Sequence, residues 1–216
     1  MGAYLTRFGS MFGTVPAFTG RVFFVAPGST YTIDGKSYSA SDNNDGLAPE
    51  RALATATRAV TLTNDVTTRT NDTIILLEGG THTVTSTLTP KAGTRIYGAH
   101  GVYGYIGWKP RTTLTIRGTS DELFDLQNGD IEIAYLTLQG TADYSMVSFQ
   151  TTSAIPNIHI HDCYLDHGSN ASYTTNHRAI DFGNRAGGQG ISRIAAAAAT
   201  ALATACLLYT SDAADE

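Results

Sequence analysis

Eight residues recur in this chain: Ile131 to Leu138 reads IEIAYLTL, and Ile158 to Leu165, 27 residues further on, reads IHIHDCYL. Apolar side chains occupy offsets 0, 2, 5 and 7 in both copies. The pairs 0, 2 and 5, 7 each follow strand alternation, but the odd step between them reverses parity, so the chain must turn a corner there. A corner that returns at a fixed interval with no helix between predicts a chain that coils about one axis and stacks each turn on the last. The expected fold class is all-β, a β-solenoid.

Composition agrees. Hydrophobic residues make up 42% and charged residues only 15%, with 22 glycines, which favours β-structure over helices. The segment 206–216, CLLYTSDAADE, has a codon choice that resembles a transposase adapter used in preparing sequencing libraries, so it is set aside as translated adapter. The natural protein is therefore expected to be longer. Without Asp212, Asp215 and Glu216 the formal charge moves from −5 to −2, a balance that argues against a nucleic-acid-binding surface. Removing Cys206 leaves Cys163 alone, at an inward offset of the repeat, where a buried thiol is expected and no disulfide framework remains.

Residues 1–20 show no period and read as an N-terminal arm. No apolar run approaches a membrane span, and the start lacks the apolar core of a signal peptide. Residues 21–194 form the expected solenoid domain, with an N-terminal cap over 21–70 and coils over 71–194, followed by an Ala-rich tail at 195–205. Within the cap, RVFFVA at 21–26 reads as a strand covered on both faces, and YTIDGKSY at 31–38 as a hairpin turning at Asp34-Gly35. Ala52 to Thr63 has helical spacing. NDTIILL at 71–77 is apolar at both parities and thus buried on both faces, with the helix expected over its outer face, capping the stack.

Three strands per coil follow. One coil uses Ile96, then Leu114 and Ile116, then Phe124 and Leu126. The next uses Ile131 and Ile133, Leu136 and Leu138, Val147 and Phe149. A third uses Ile158 and Ile160, Cys163 and Leu165, Ile180 and Phe182, and Ile191 with Ile194 is expected to begin a fourth.

The succession SDNNDGLAPERALATATRAV, NDTIILLEGGTHTV, GDIEIAYLTLQG and PNIHIHDCYLDHG resembles the right-handed parallel β-helix, or pectin-lyase-like, superfamily. That group opens with a polar Asp/Asn/Gly loop, an amphipathic capping helix and a Gly-Asp-Thr-Ile-like strand, although here Asn71 stands where the Gly is usual. The resemblance covers roughly residues 21–194 and implies a right-handed parallel β-helix with an N-terminal capping helix. For function it implies a range, from polysaccharide lyases and glycoside hydrolases to adhesins and viral tail spikes.

Candidate chemistry falls in three places. Asp42, Asn44 and Asp45 offer hard oxygen ligands for calcium, but an EF-hand register puts Ala52 where its closing Glu belongs, so an Asx-rich turn is the better reading. His159 and His161 alternate outward beside Asp162, Asp166 and His167. With Glu132 on the preceding coil these are the candidates for a general base or a carboxylate pair, though two His at spacing two read more simply as surface histidines. The calcium-ligating acidic cluster and neighbouring base that the resemblance implies for a pectate lyase have no counterpart, since the outward slots hold Glu132 and Ala134, then His159 and His161, with no Arg or Lys expected nearby. Lastly, GAHGVYGYIGWKPR at 98–111 interleaves Tyr103, Tyr105 and Trp108 with Gly and ends in Lys109 and Arg111, a composition suited to stacking on sugar rings and holding acidic substituents.

These features favour a structural or adhesive β-helix protein, such as a virion component of the phage tail fibre or spike kind that contacts surface glycans. A truncated polysaccharide lyase or glycoside hydrolase is the alternative. A virion or extracellular location is expected, no cofactor beyond an incidental Ca, and, by analogy with spikes of the superfamily, a homotrimer.

Overall fold

The structure, a computed structural model, describes residues 20–65, 70–77, 80–99, 105–106, 109–116, 122–140, 146–149, 157–166, 180–181 and 194–196. It begins with β1 (Val22–Val25) and a hairpin of β2 (Thr30–Ile33) and β3 (Lys36–Ser39), turned by Asp34 and Gly35, both with positive φ. A 3-10 turn at Pro49–Arg51 precedes helix α1 (Ala56–Asn64), whose N-cap Thr55 accepts a bond from the Arg58 N–H. The helix thus starts later than the spacing of Ala52 predicts. The residues before it are held extended because Leu53 bonds to β1, its N–H donating to Phe24 and its carbonyl accepting from Ala26.

The remaining strands are β4 (Thr73–Leu76), β5 (Thr81–Val84), β6 (Arg95–Gly98), β7 (Tyr105–Ile106), β8 (Lys109–Pro110), β9 (Thr113–Ile116), β10 (Phe124–Asp125), β11 (Ile131–Ala134), β12 (Thr137–Gln139), β13 (Val147–Ser148), β14 (Ile158–His161), β15 (Cys163–Asp166), β16 (Ile180–Asp181) and β17 (Ile194–Ala196). Apart from the antiparallel pairs β2–β3 and β7–β8, they form three parallel sheets among the described residues. Their orders are β1-β4-β6-β11-β14, β5-β9-β12-β15-β17 and β10-β13-β16. Each pass of the chain from β6 to β16 gives one strand to each sheet in the same sequence. The pass through β4 and β5 reaches the third sheet at a single bridge, Leu88 to Phe124. The protein is therefore mostly β, built on parallel sheets. No helix among the described residues is long and apolar enough to cross a membrane.

The repeat pairs in register: Ile131 lies opposite Ile158, and Leu138 opposite Leu165. Its corner is one residue in the left-handed region, Tyr135 (φ 60) in the first copy and Asp162 (φ 50) in the second, and this single inversion supplies the change of parity. The corner that opens each copy is left-handed as well, at Asp130 and Asn157 (both φ 56), and the Asn157 amide donates to Asp130 Oδ1 at 2.8 Å.

The inward side chains of all three sheets form one cluster, from Phe23 and Val25 through Ile74, Ile96, Ile133 and Phe149 to Cys163 and Leu165. Burial pushes the Cys163 thiol up to about 12, so it is an inert core group. Three expectations need correction. Ala56, Ala59 and Val60 of α1 join this inner cluster, and the helix packs against β1, β4 and β5 where β1 and β5 are sheet edges; the outer face of β4 is covered instead by Tyr31 and Ala52, with Ile33 and Tyr38 of the hairpin packed alongside. Ile194 does not open a first-sheet strand, for β17 pairs with β15 in the second sheet. Ala195 and Ala196, read as the start of the tail, continue that strand opposite Tyr164 and Leu165.

Two buried features generate tests. His82 is 3% exposed, its Nε2 lies 2.7 Å from the Leu77 carbonyl, its Nδ1 has no partner, and burial lowers its pKa from 6.5 to about 4. Because the unfolded chain takes up this proton at higher pH, stability falls as pH drops from 6.5 towards 4. The loss reaches on the order of 3 kcal/mol below that range. Urea titrations at pH 7 and pH 4 should show His82→Leu escaping most of it. At Gly98, an added Cβ would lie 2.0 Å from the Tyr135 carbonyl oxygen. Gly98→Ala should therefore cost about 2 kcal/mol or more in denaturant unfolding, since backbone rather than a side chain must move.

Candidate functional site

The outward side chains of the first sheet bring together residues from three successive strands. Glu132 on β11 pairs with Arg95 on one side and His159 on the other, while Ala134 pairs with Tyr97 and His161. Of these, His161 is the centre. Its Nε2 lies 3.0 Å from Glu132 Oε1 and its Nδ1 2.9 Å from Asp162 Oδ2. The Tyr135 ring meets it edge-on with centroids 5.7 Å apart, and Tyr97 lies 6.2 Å from Tyr135. Arg95 Nε stands 3.5 Å from Glu132 Oε2.

Local structure explains the grouping. Tyr135 and Asp162 are the corner residues of the two copies, so each left-handed turn throws its side chain beside the end of the first sheet. Ala134, the one small outward residue, is fully buried beneath its larger neighbours.

The charges compensate one another. The bond to Glu132 raises the pKa of His161 above 6.5, burial opposes that, and the bond to Asp162 reinforces it. Burial alone would raise the Glu132 carboxyl, but bonds from His161 and Tyr97 and the nearby charges of His161 and Arg95 hold it below its usual 4.5. Burial, followed by the Glu132 charge, pushes the Tyr97 hydroxyl upward. When His161 is protonated, its ring and the Arg95 guanidinium stand against Glu132 and Asp162.

Among the residues singled out from sequence, Glu132, His161 and Asp162 meet here. His161 is more than a surface histidine, because both ring nitrogens are engaged. His159 is exposed on the same strand. Asp166 lies on β15 in the second sheet, where its Oδ2 accepts from Gln139 at 3.4 Å, so it does not join Glu132. His167, Tyr103 and Trp108 lie outside the described residues. Tyr105 is placed by its backbone in β7, and Arg111 is exposed after β8.

Arg95, Tyr97 and Tyr135 were not foreseen, and the expectation of no arginine near Glu132 is corrected by Arg95. The sequence does carry a signal: TRIYG at 94–98 aligns with IEIAY at 131–135 once Ile96 is set opposite Ile133 rather than Ile131. Thr94, fully buried, fills the slot of the first Ile and donates to the Lys91 carbonyl.

The polar loop at 41–46 bonds chiefly to the segment that leads into α1. Asp42 Oδ1 accepts from the Ala54 and Thr55 N–H groups and its Oδ2 from the Thr55 hydroxyl. Asn44 donates to the Ala52 carbonyl at 2.9 Å, and Asp45 accepts from Leu47 N–H and pairs with Arg51 at 2.8 Å. Of these, the Asp45 bond to Leu47 N–H is a local Asx turn, whereas the bonds of Asp42 and Asn44 reach forward to the residues that lead into α1 and anchor its entry. Among the described residues, no three His, Cys, Asp or Glu groups are arranged to hold a metal ion. In the outer-face cluster the reason is plain, since the imidazole stands between the two carboxylates.

No protein-family model matches this chain, and no curated protein or solved structure is significantly similar to it.

Glu132→Gln removes the negative partner of Nε2 while keeping an acceptor. The titration midpoint of the His161 ring, followed by NMR, should fall towards its ordinary 6.5.

Proposed function

We propose that this chain is a right-handed parallel β-helix of the pectin-lyase-like kind, capped by α1, that serves as a structural and adhesive component of a virion, a phage tail fibre or spike, contacting surface glycans. The observation that carries this reading is the repeated order of strands through three parallel sheets with a helix across one end. Such an arrangement builds a stiff rod from short strands and leaves the turns free to carry contacts.

The outer-face cluster supports binding over catalysis. A glycoside hydrolase needs a carboxyl that keeps its proton near neutrality, whereas Glu132 is held in the opposite direction. A lyase needs a base free to take a proton, and Arg95 stands against Glu132. Assembly as a homotrimer belongs to the same proposal, as does the assignment of Tyr103, Tyr105, Trp108 and Arg111 to glycan contact.

Binding to a panel of bacterial surface polysaccharides tests it. Trp108→Ala and Arg111→Ala should each weaken binding about tenfold or more with unchanged thermal melting, a loss of about 1.4 kcal/mol. Unsaturated products or new reducing ends, abolished by substitution of Glu132 or Asp162, would instead establish a polysaccharide lyase or glycoside hydrolase. Unaltered binding in both loop variants would remove the loop from the proposal.

A further inference from the structure

The outer face of the first sheet holds a device that does not depend on the glycan reading. A carboxylate can only accept hydrogen bonds, so the two contacts of His161, at 3.0 Å to Glu132 and 2.9 Å to Asp162, require an N–H on each ring nitrogen. Only the imidazolium has both. A neutral ring keeps one N–H and turns a lone pair towards the other carboxylate. The geometry alone therefore distinguishes two protonation states of this contact.

The two carboxylates have different places in the fold. Glu132 is on β11, so its bond ties neighbouring strands of the first sheet. Asp162 is the left-handed residue (φ 50) that turns the chain from β14 into β15, and the next residue, Cys163, enters the core. We propose that His161 is a proton-operated clamp: doubly protonated, it locks β14 to β11 and fixes the turn into β15, and loss of the Nδ1 proton ends its bond to Asp162 and loosens that turn.

The charged and titratable groups of this face come from three strands and two corners. From β6 come Arg95, 3.5 Å from the second oxygen of Glu132, and Tyr97, which bonds to Glu132. From β11 comes Glu132, from the first corner Tyr135, and from β14 and its corner His159 and Asp162. With His161 charged, Arg95 and His161 balance Glu132 and Asp162. With it neutral, two carboxylates face one guanidinium.

The raised pKa of His161 sets the direction. A His raised in the folded state contributes stability that is complete below its unfolded value, ordinarily 6.5, and is lost as pH rises through the folded value. The clamp is closed in mildly acidic surroundings and opens above its own midpoint.

Amide exchange on the full chain, expressed as protection factors at Ile160, Cys163 and Tyr164, tests this alongside the NMR titration of His161. In the wild type, protection at these amides should drop at least threefold as pH passes the measured midpoint. In Glu132→Gln the drop should move with the lowered midpoint, and in His161→Gln protection should be low on both sides, with no step. A wild-type profile without a step at the His161 midpoint, or a step that stays in place in Glu132→Gln, would overturn the clamp. That comparison stands even where His161→Gln does not fold.

Discussion

A strand of two to four residues has too few backbone bonds to persist alone, and every parallel strand among the described residues is of that length. Each is held because neighbouring strands accept and donate its peptide groups. Glu132 N–H reaches back to the Thr94 carbonyl and Tyr164 N–H to that of Leu136. This dependence of each rung on its neighbours sets the terms for the rest. It demands that inward residues stack like on like, Ile96 beside Ile133 beside Ile160, and that both left-handed corners fall at the same place in each copy of the repeat. It also makes the first rung the weak point. There, β1 is the sheet edge among the described residues, and α1 with the loop bonds of Asp42 and Leu53 covers that end.

The outward face lives under a different rule. Rung spacing is about 4.8 Å, which places side chains of successive strands close enough to bond whatever their chemistry. Arg95, Glu132 and His159 stand in one column, Tyr97, Ala134 and His161 in the next. Compensation between strands, Arg95 with Glu132 in one column and Glu132 with His161 diagonally across to the next, is what lets partly buried charges sit there at little cost.

That difference explains what could be read from the residues. The repeated corner, the hairpin at Asp34-Gly35, the two-sided strand at Thr73–Leu76 and the core placement of Cys163 all follow from hydropathy at short range, and each is found. The outer cluster was legible only in part. Glu132, His161 and Asp162 drew notice as titratable groups, but the bond from His161 to Glu132 spans 29 positions and depends on register rather than periodicity. Thr94 in place of an Ile hid the register of the preceding strand, and Arg95 with it. The helix was located but given the wrong surface, because an amphipathic pattern shows that one side is apolar without saying which apolar surface it meets. The sheet that Ile194 joins is hidden for a related reason: a short apolar pair looks the same in each of the three.

The pairing distances in the first sheet carry a consequence for how such a chain can change. From Ile74 to Ile96 the step is 22 residues, from Ile96 to Ile133 it is 37, and from Ile133 to Ile160 it is 27. The height of a rung is set by peptide geometry and cannot vary, whereas the contour between rungs is unconstrained. Insertions and deletions at the turns thus leave the interior untouched, and each turn is a separate port at which new sequence can be tried. A lineage of such chains would be expected to diverge quickly at its turns while the spacing between paired strands stays the same.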